Sequence, residues 1–342
     1  LLHHQGCCQL KPDLEQVTRV LIGLGRNPNV ASVLVVSLGC ESISPQEVVE
    51  GIAESQKPVE TISIQAEGGF TATVKKGIKI VSSMASEARK LKREPCSLAD
   101  LTVGVKCGAS DATSGLVSNP AVGSAVDKIV DAGGTVIFGE TTEVIGAEHI
   151  LAKRAINELT AKKIFEAVER MESKAKKVGV DMRGSQPTAG NIKGGLTTIE
   201  EKSLGAISKS GSRLIQGVLE YGEAPRGKGL YFMDSPGMEL VYMTGVAACG
   251  TQVILFSTGL GAPQGFPIVP VIKISGNEKT CRHLSEHIDI DLSTVLRGEE
   301  SLDEGGERIL EAICRVASGE VTKAEAIGYD KTVDIYVLNS FV

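Results

Sequence analysis

The stretch LTVGVKCGASD, residues 101–111, decides the fold prediction. Its first five residues favour a β-strand, and a polar turn follows them. Three other segments, residues 32–38, 61–64 and 135–138, have the same form, and each leads into a helical pattern. The run at 32–38 is continuously apolar and β-branched, which predicts a strand buried on both faces. Strands that alternate with helices at this spacing predict a parallel, helix-covered α/β sheet.

The second half of the chain has the same character after a different middle. Residues 147–178 are rich in Ala, Glu, Lys and Arg and predict one or two long exposed helices, and residues 181–195 predict a polar functional loop. Further strands are predicted at 229–233, 252–256 and 269–274, and a closing helix at 305–318. We expect two Rossmann/flavodoxin-like halves, divided into an α/β domain with a strand-end polar site (1–150), a helical linker and substrate loop (151–195) and a second α/β domain (196–342).

Composition narrows the class of protein. The 342 residues carry 36 basic and 42 acidic side chains, a formal net charge of −6, and 42% are hydrophobic. This balance fits a globular enzyme and argues against nucleic acid as a partner. No apolar run approaches the ~18–20 residues that a membrane span needs. We therefore expect a protein without a membrane or nucleic-acid partner.

The eight cysteines are scattered and form no CxxC pair, which argues against a disulfide framework or a zinc knuckle. A reduced, cytoplasmic protein is the expectation. The chain opens with Leu1 rather than Met and shows no signal-peptide pattern, so we also expect its natural start to lie upstream.

Polar residues follow four of the predicted strands, and the carboxyl ends of parallel strands form the usual ligand edge. They include Cys40 with Glu41, Cys107, and Glu140 with Glu143. Thiols and carboxylates together suit a divalent transition metal. Two alternatives stay open, because a Cys at a strand end is often a small core residue and a Glu often caps a helix. The turns could also cradle phosphate, although GxGxxG and GxxxxGK[ST] are both missing there.

Longer motifs carry a resemblance to a known family. They are HHQGC (3–7), GCE (39–41), CGASD (107–111), GETTEVIGAEH (139–149), GNIKGGLTTIEEKSLGA (190–206) and FMDSPG (232–237). With these motifs the chain resembles the altronate/galactarate dehydratase family, which also includes the large subunit of sulfolactate sulfo-lyase. The resemblance runs nearly end to end. It lacks the segment that usually precedes the His/Cys motif and the family's small N-terminal domain, which the sulfo-lyase keeps as a separate subunit.

The resemblance implies a lyase that acts on a hydroxy acid. We expect a hydro-lyase that dehydrates a sugar acid such as altronate or galactarate by metal-assisted removal of the proton alpha to the carboxylate. The alternatives are the sulfolactate sulfo-lyase large subunit and a core that is inactive without the small N-terminal domain or subunit; a nucleotide-binding protein is a weaker one. The implied metal is Fe(II), with Mn(II) or Zn(II) as alternatives, and a homo-oligomer is expected.

Three sets of site residues are predicted. The metal ligands are Cys7, Cys40, Glu41, Cys107 and Glu140. The catalytic residues are His4, Glu143, His149 and Lys202, and the substrate-binding residues are Arg183, Asn191, Lys193, Thr197, Thr198 and Asp234. Lys202 is expected to act as a base or a carboxylate partner, although an exposed lysine paired with a neighbouring acid is the plainer interpretation. Asp234 could equally be the first residue of a β-turn.

Overall fold

The computed structural model describes residues 1–339, and its strands form two parallel sheets. The smaller sheet has the order β1-β2 and the larger sheet the order β5-β6-β4-β3-β7-β8-β9. The strands are β1 Val33–Ser37, β2 Val59–Ser63, β3 Thr102–Gly108, β4 Thr135–Phe138, β5 Ile215–Leu219, β6 Gly229–Met233, β7 Val253–Thr258, β8 Val271–Ser275 and β9 Ile290–Asp291.

Helices of very different length connect these strands. They are α1 Lys11–Arg26, α2 Pro45–Ala53, α3 Phe70–Ala88, α4 Asn119–Asp131, α5 Glu148–Lys153, α6 Glu158–Lys177, α7 Met182–Ser185, α8 Ala189–Lys193, α9 Ile199–Ile207, α10 Glu239–Ala248, α11 Glu278–His283, α12 Ser293–Leu296, α13 Leu302–Ala317 and α14 Lys323–Ala326. A π-helical segment, Ser114–Ser118, leads directly into α4, and a 3₁₀ turn, Ser208–Ser210, follows α9.

The fold class is confirmed, since the structure is α/β with helix-covered parallel sheets. The arrangement of the first four strands differs from the prediction. Strands β1 and β2 pair only with each other in the described chain, whereas β3 and β4 lie at the centre of the larger sheet. Strand β1 is also not buried on both faces, because Val36 is 52% exposed. An apolar run thus identified a strand correctly but not the sheet to which it belongs.

Strands from both halves of the chain build the larger sheet. Strands β3 and β4 precede residue 150 and β5–β9 follow residue 196, yet all seven share one hydrogen-bonded order. The predicted limits at 150 and 196 divide the chain but not this sheet, and as domain limits they stay a prediction. Strands β5 and β9 were absent from the sequence prediction.

Two apolar cores cover the faces of the larger sheet. In β4, Val136 and Phe138 belong to the core beneath α4 and α13, whereas Ile137 belongs to the core beneath α1 and α10. Successive residues of a strand point to opposite faces, so β4 is buried on both sides, and Glu140 and Thr141 just beyond its carboxyl end are also fully buried. This places the strand-end residues inside the molecule.

The middle of the chain is more ordered than predicted. Residues 147–178 form two helices, as expected, but α6 buries Ile164, Ala167 and Val168 rather than being wholly exposed. The segment expected as a polar loop contains the short helices α7 and α8. None of the helices in residues 1–339 is both long enough and apolar enough to cross a membrane.

Candidate active site at the edge of the larger sheet

A buried group of ionisable side chains lies at the carboxyl ends of β3 and β4. Cys107 is near the end of β3, and Glu140 and Glu143 follow β4. Their ligand atoms all lie within 4.8 Å of one another. The Cys107 thiol donates to Glu143 Oε2 at 2.8 Å, and the Cys107 backbone N–H donates to Glu140 Oε2 at 3.0 Å. Three residues that were predicted from their positions at the carboxyl ends of strands are therefore close together in the structure.

Two lysines that were not predicted complete this group. Lys209, in the 3₁₀ turn after α9, places Nζ 3.1 Å from Cys107 Sγ, 3.0 Å from Glu140 Oε2 and 2.9 Å from Glu143 Oε2. Lys106 Nζ donates to Glu140 Oε1 at 2.8 Å and to the Cys107 carbonyl at 2.9 Å. Lys106 and Glu140 are both fully buried, and Lys209 is 2% exposed. We call these five side chains the thiol–acid cluster.

The backbone around the cluster is held in uncommon conformations. Glu140 has φ +70° and Ala109 has φ +50°, although neither is glycine. Non-glycine residues keep a positive φ only where surrounding contacts hold the backbone in place, and such positions are concentrated at functional sites. For Glu140 the contacts come from the end of β6, because its N–H donates to Ser235 Oγ at 3.0 Å and the next N–H donates to the Ser235 carbonyl at 2.8 Å.

The electrostatics keep the thiol protonated and Glu143 ionised. Burial, with Glu143 beside it, raises the pKa of the Cys107 thiol to about 12. Burial also opposes ionisation of Glu143, but Lys209, Lys202 and Lys106 outweigh it and lower the pKa of this carboxyl to about 2. Burial raises the pKa of Glu140, while the ammonium groups of Lys106 and Lys209, at 2.8 and 3.0 Å, pair with its two oxygens and favour the carboxylate form.

Cys107, Glu140 and Glu143 could hold a metal ion. One thiol and two carboxylates are a donor set that suits a divalent transition metal rather than calcium. Lys209 already contacts all three donor atoms. A metal ion between them therefore requires that the Lys209 ammonium withdraws and that the thiol loses its proton. The three donor atoms therefore suit a divalent metal ion, and their charge suits it once the Lys209 ammonium group has withdrawn.

The other predicted metal ligands do not join this group. Cys7 and Glu41 line a separate cavity of about 700 Å³ beside β1, together with His4. Cys40 is exposed and lies 3.4 Å from the Gln65 side-chain nitrogen. The reason is the separate small sheet: the carboxyl ends of β1 and β2 belong to a different edge from those of β3 and β4.

Four of the predicted substrate-binding residues lie outside the cluster and are already hydrogen-bonded to other residues of the chain. Arg183 donates to Glu172 at 2.7 Å and to Glu148 at 3.2 Å. Asp234 accepts from Thr141 at 2.7 Å and from Arg170 at 2.8 Å. Thr198 caps α9 by accepting from the Glu201 N–H at 3.1 Å, while the Thr197 N–H donates to the Glu201 carboxylate at 2.7 Å.

The remaining predicted residues divide into exposed and site-facing groups. His149 and Lys193 are exposed. Asn191 is buried and donates to the Ser110 carbonyl at 2.9 Å, so it fastens the 181–195 segment to the end of β3. Lys202 lines a cavity of about 220 Å³ together with Ser110 and Asp111, which follow the end of β3. That cavity lies between the π-helical segment and α9.

Of the two cluster lysines that were not predicted, Lys106 could have been found from the sequence and Lys209 could not. Lys106 lies in a strand whose neighbours are apolar, and a lysine buried in such a strand needs an acidic partner. Lys209 is separated from Cys107 by about a hundred residues of chain, and no local pattern connects the two. Its place in the cluster depends on how α9 packs on the sheet.

The fold and site define an α/β enzyme with a buried thiol–acid cluster at the carboxyl ends of the central strands of a parallel sheet. The family described as D-galactarate/altronate dehydratase, C-terminal, matches residues 98–339, and the second domain of D-galactarate dehydratase/altronate hydrolase matches residues 1–89. The chain belongs to this dehydratase family.

Three curated relatives support the assignment. The chain is 44% identical to the (2R)-sulfolactate sulfo-lyase subunit beta of Chromohalobacter salexigens, over 97% of this chain and 85% of that protein. It is 37% identical to the galactarate dehydratase (L-threo-forming) of Escherichia coli, over 88% of this chain and 59% of that protein. It is 32% identical to the altronate dehydratase of Bacillus subtilis, over 95% and 65%. The chain thus spans less than two thirds of both dehydratases, and all three relatives are lyases.

Proposed function

We propose that this protein removes a leaving group from carbon 3 of a 2-hydroxy acid, and that its first candidate reaction is the release of sulfite from sulfolactate. One observation favours sulfite: the chain spans 85% of the sulfo-lyase subunit at 44% identity, but only 59% of the galactarate dehydratase. Dehydration of a sugar acid is the second candidate, supported by 37% identity to that dehydratase. Both reactions begin at the same carbon.

The chemistry explains why a charged, water-poor site is useful. The bond between carbon 2 and its hydrogen breaks, and its electron pair forms a carbon–carbon double bond as sulfite or hydroxide leaves carbon 3 with the bonding pair. The resulting enol becomes a 2-keto acid. The difficult step is proton removal beside an anionic carboxylate, because negative charge accumulates there. Fixed positive charges in a buried site lower that barrier.

The chain's own residues supply several parts of this task. We assign the substrate carboxylate to Lys202, which lines the cavity beside the cluster. The ammonium groups of Lys106 and Lys209 hold Glu140 and Glu143 in place at 2.8–3.0 Å. If Fe(II) is the bound cofactor, Cys107, Glu140 and Glu143 would hold it, and it would stabilise the developing enediolate. Mn(II) and Zn(II) suit the same donors.

We further propose that a second subunit completes the site. The first relative is itself named as a subunit, and the dehydratases contain more chain than this protein matches. Neither His4 nor His149 lines the cavity that contains Lys202. The base that takes the proton is therefore assigned to the companion subunit or to a group that the companion positions.

The test combines substrates, metals and the companion protein. The purified chain is assayed alone and after co-expression with a small subunit, with sulfolactate, galactarate and altronate as substrates. Each preparation is first treated with chelator and then supplied with Fe(II), Mn(II) or Zn(II). We expect sulfite and pyruvate from sulfolactate in the complex with metal. A keto-deoxy sugar acid would favour the second candidate, and no product from any acid in the complete complex would contradict the proposal.

A further inference from the structure

A small cavity lies between the π-helical segment and α9, and one of its lining residues has a buried, unsatisfied polar atom. The cavity measures about 220 Å³, and Ser110, Asn119 and Lys202 are among its lining residues. Asn119 is 1% exposed, and its side-chain N–H donates to the Gly205 carbonyl at 2.9 Å. The other end of the same amide, Oδ1, is buried and has no hydrogen-bond partner among residues 1–339.

An unpaired buried acceptor requires an explanation. Leaving such a group unsatisfied costs about 1–3 kcal/mol, and buried polar groups in native proteins nearly always have partners. The orientation of the Asn119 amide is fixed by its bond to Gly205, since the reversed amide would place two oxygens together. Oδ1 therefore needs a donor from outside the described chain, such as a ligand hydroxyl.

The cavity also contains a lysine with spare donors. Lys202 is half-buried, and its hydrogen bond among the described residues is to Gln186 Oε1 at 3.3 Å. An ammonium group has three N–H donors, so two remain for a ligand. Ser110, which also lines the cavity, is three residues beyond Cys107 at the carboxyl end of β3. A ligand held by Lys202 would consequently lie beside the thiol–acid cluster.

The acids that line the cavity are already engaged. Asp111 accepts from Thr113 and Ser114 through Oδ1, at 2.7 and 3.0 Å, and from Asn277 through Oδ2 at 2.7 Å. Glu201 accepts from Thr197. Of the lining side chains, Lys202 thus offers a ligand an ammonium group and Asn119 a neutral acceptor, and Ser110 adds a hydroxyl. A carboxylate beside a hydroxyl is the chemical group that satisfies both.

We propose that this cavity binds the 2-hydroxy carboxylate group of the substrate, with Lys202 on the carboxylate and Asn119 Oδ1 accepting from the 2-hydroxyl. The substrate class rests on the proposed function, whereas the two contacts rest on the cavity. The π-helical segment that forms one wall is consistent with this role, because single π-helical turns are rare and frequently lie at functional sites.

The test uses a pair of acids that differ only in the hydroxyl and cannot undergo elimination. Binding of (R)-lactate, (S)-lactate and propionate to the purified chain, with its companion subunit where one co-purifies, is measured by calorimetry or ligand-observed NMR. We expect one lactate enantiomer to bind about 10-fold more tightly than propionate. Asn119→Leu should bind the two acids equally. Lys202→Met should weaken both while keeping their ratio.

Two further variants keep the test decisive. Asn119→Asp retains acceptor oxygens but loses the donor to the Gly205 carbonyl and adds negative charge, so it should lower stability and weaken both acids while preserving the hydroxyl preference. Asn27 is the matched control, a buried asparagine outside this cavity whose side chain donates to the Ala247 and Thr251 carbonyls. Asn27→Leu should lower stability and leave the lactate preference intact.

The outcomes separate this inference from the proposed function. Equal binding of lactate and propionate by the unaltered protein, or a preference that survives in Asn119→Leu, would overturn the inference. A clear lactate preference without elimination of any candidate acid would overturn the proposed function and leave the cavity assignment standing. Elimination activity without a hydroxyl preference would do the reverse.

Discussion

Lys209 is the side chain on which the charge balance of the thiol–acid cluster depends. With Cys107 protonated, the cluster holds two carboxylates, Glu140 and Glu143, and two ammonium groups, Lys106 and Lys209, so its net charge is zero. Adding a divalent cation to this balanced, buried group would leave uncompensated positive charge. Lys209 thus occupies the place that a metal cation would take, so metal binding would require this ammonium group to withdraw.

We predict that Lys209→Met destabilises the protein and that Mn(II) restores part of the loss. The substitution leaves Glu140 paired with Lys106 and leaves the buried Glu143 without a direct ion-pair partner among the described residues. Breaking a buried ion pair in this way costs about 3–5 kcal/mol in the free energy of unfolding. Mn(II) should recover stability because it can take the position of the missing ammonium. Urea unfolding with and without Mn(II) measures both effects.

Lys128 provides the control for this prediction. It also contacts two acids, Asp303 at 2.7 Å and Glu307 at 2.9 Å, but these acids are exposed. Lys128→Met should change the free energy of unfolding by no more than about 1 kcal/mol and should not respond to Mn(II). An unaffected Lys209→Met protein, or an equal Mn(II) response in both variants, would contradict the role given to Lys209.

Lys273 gives a prediction about pH. It is fully buried on β8, where its ammonium donates to the Pro263 carbonyl at 3.1 Å. Burial lowers its pKa from 10.5 to about 8. Between these two values the unfolded chain binds the proton more readily, so the free energy of unfolding should rise with pH from about 8 to 10.5. The rise attributable to this group is roughly 3 kcal/mol.

Lys273→Met should remove that rise. The measurement is urea unfolding at a series of pH values from 7 to 11, for both proteins. Because other groups also titrate in this range, the quantity of interest is the free energy of unfolding of the unaltered protein minus that of Lys273→Met, which should increase between pH 8 and 10.5. Parallel curves over the whole range would show that Lys273 is not held with a lowered pKa.

At the scale of helices and strands, the sequence predicted those strands that appear as a continuous apolar run. The predicted strands at 101–105, 135–138 and 229–233 are all present in the larger sheet. Cys107, Glu140 and Glu143 could be found because residues that follow neighbouring parallel strands share an edge. Cys40, which was predicted with them, follows β1 of the smaller sheet instead, since apolar periodicity identifies a strand without stating which sheet it joins. Lys209 was missed because helix packing, not sequence spacing, brings it to Cys107.

The packing of α9 on the π-helical segment gives the prediction at this scale. Gly115 and Gly205 face each other, and a Cβ added at Gly205 would lie 3.0 Å from the Gly115 Cα. Gly205→Ala should separate the two segments and lower the free energy of unfolding by about 1–3 kcal/mol. Because Lys202 and Lys209 flank Gly205, lactate binding should weaken as well. Chemical denaturation and calorimetry measure the two effects.

Gly190 is the control for that change. It lies at an exposed position of helix α8, and the nearest atom to an added Cβ would be Thr188 Oγ1 at 3.9 Å. Gly190→Ala should leave stability unchanged or raise it by up to about 1 kcal/mol, since alanine favours helix. If Gly205→Ala is equally harmless, the close approach of the two segments does not position the site.

At the scale of the whole molecule, the two regions that match family models, residues 1–89 and 98–339, share an apolar core. Helix α1 belongs to residues 1–89, yet Val17, Val20 and Leu24 are buried in the same core as α10. Asp13 accepts from the Asn339 side chain at 2.9 Å, which joins the beginning of the chain to its last described residues. The boundary between the two family regions therefore does not coincide with a boundary in the core.

We predict a single unfolding transition, and Gly23→Ala tests it. A Cβ added at Gly23 would lie 2.3 Å from the Ala248 carbonyl, so α1 must move away from α10. The clash should outweigh the helix propensity that alanine adds, about 1 kcal/mol. Because the core is shared, calorimetry should show one peak moved to lower temperature. Gly77→Ala, on α3 with its nearest contact at 3.5 Å, should leave the peak in place. Two separate peaks, with only the first shifted by Gly23→Ala, would mean that residues 1–89 fold independently and that α1 only rests on the larger sheet.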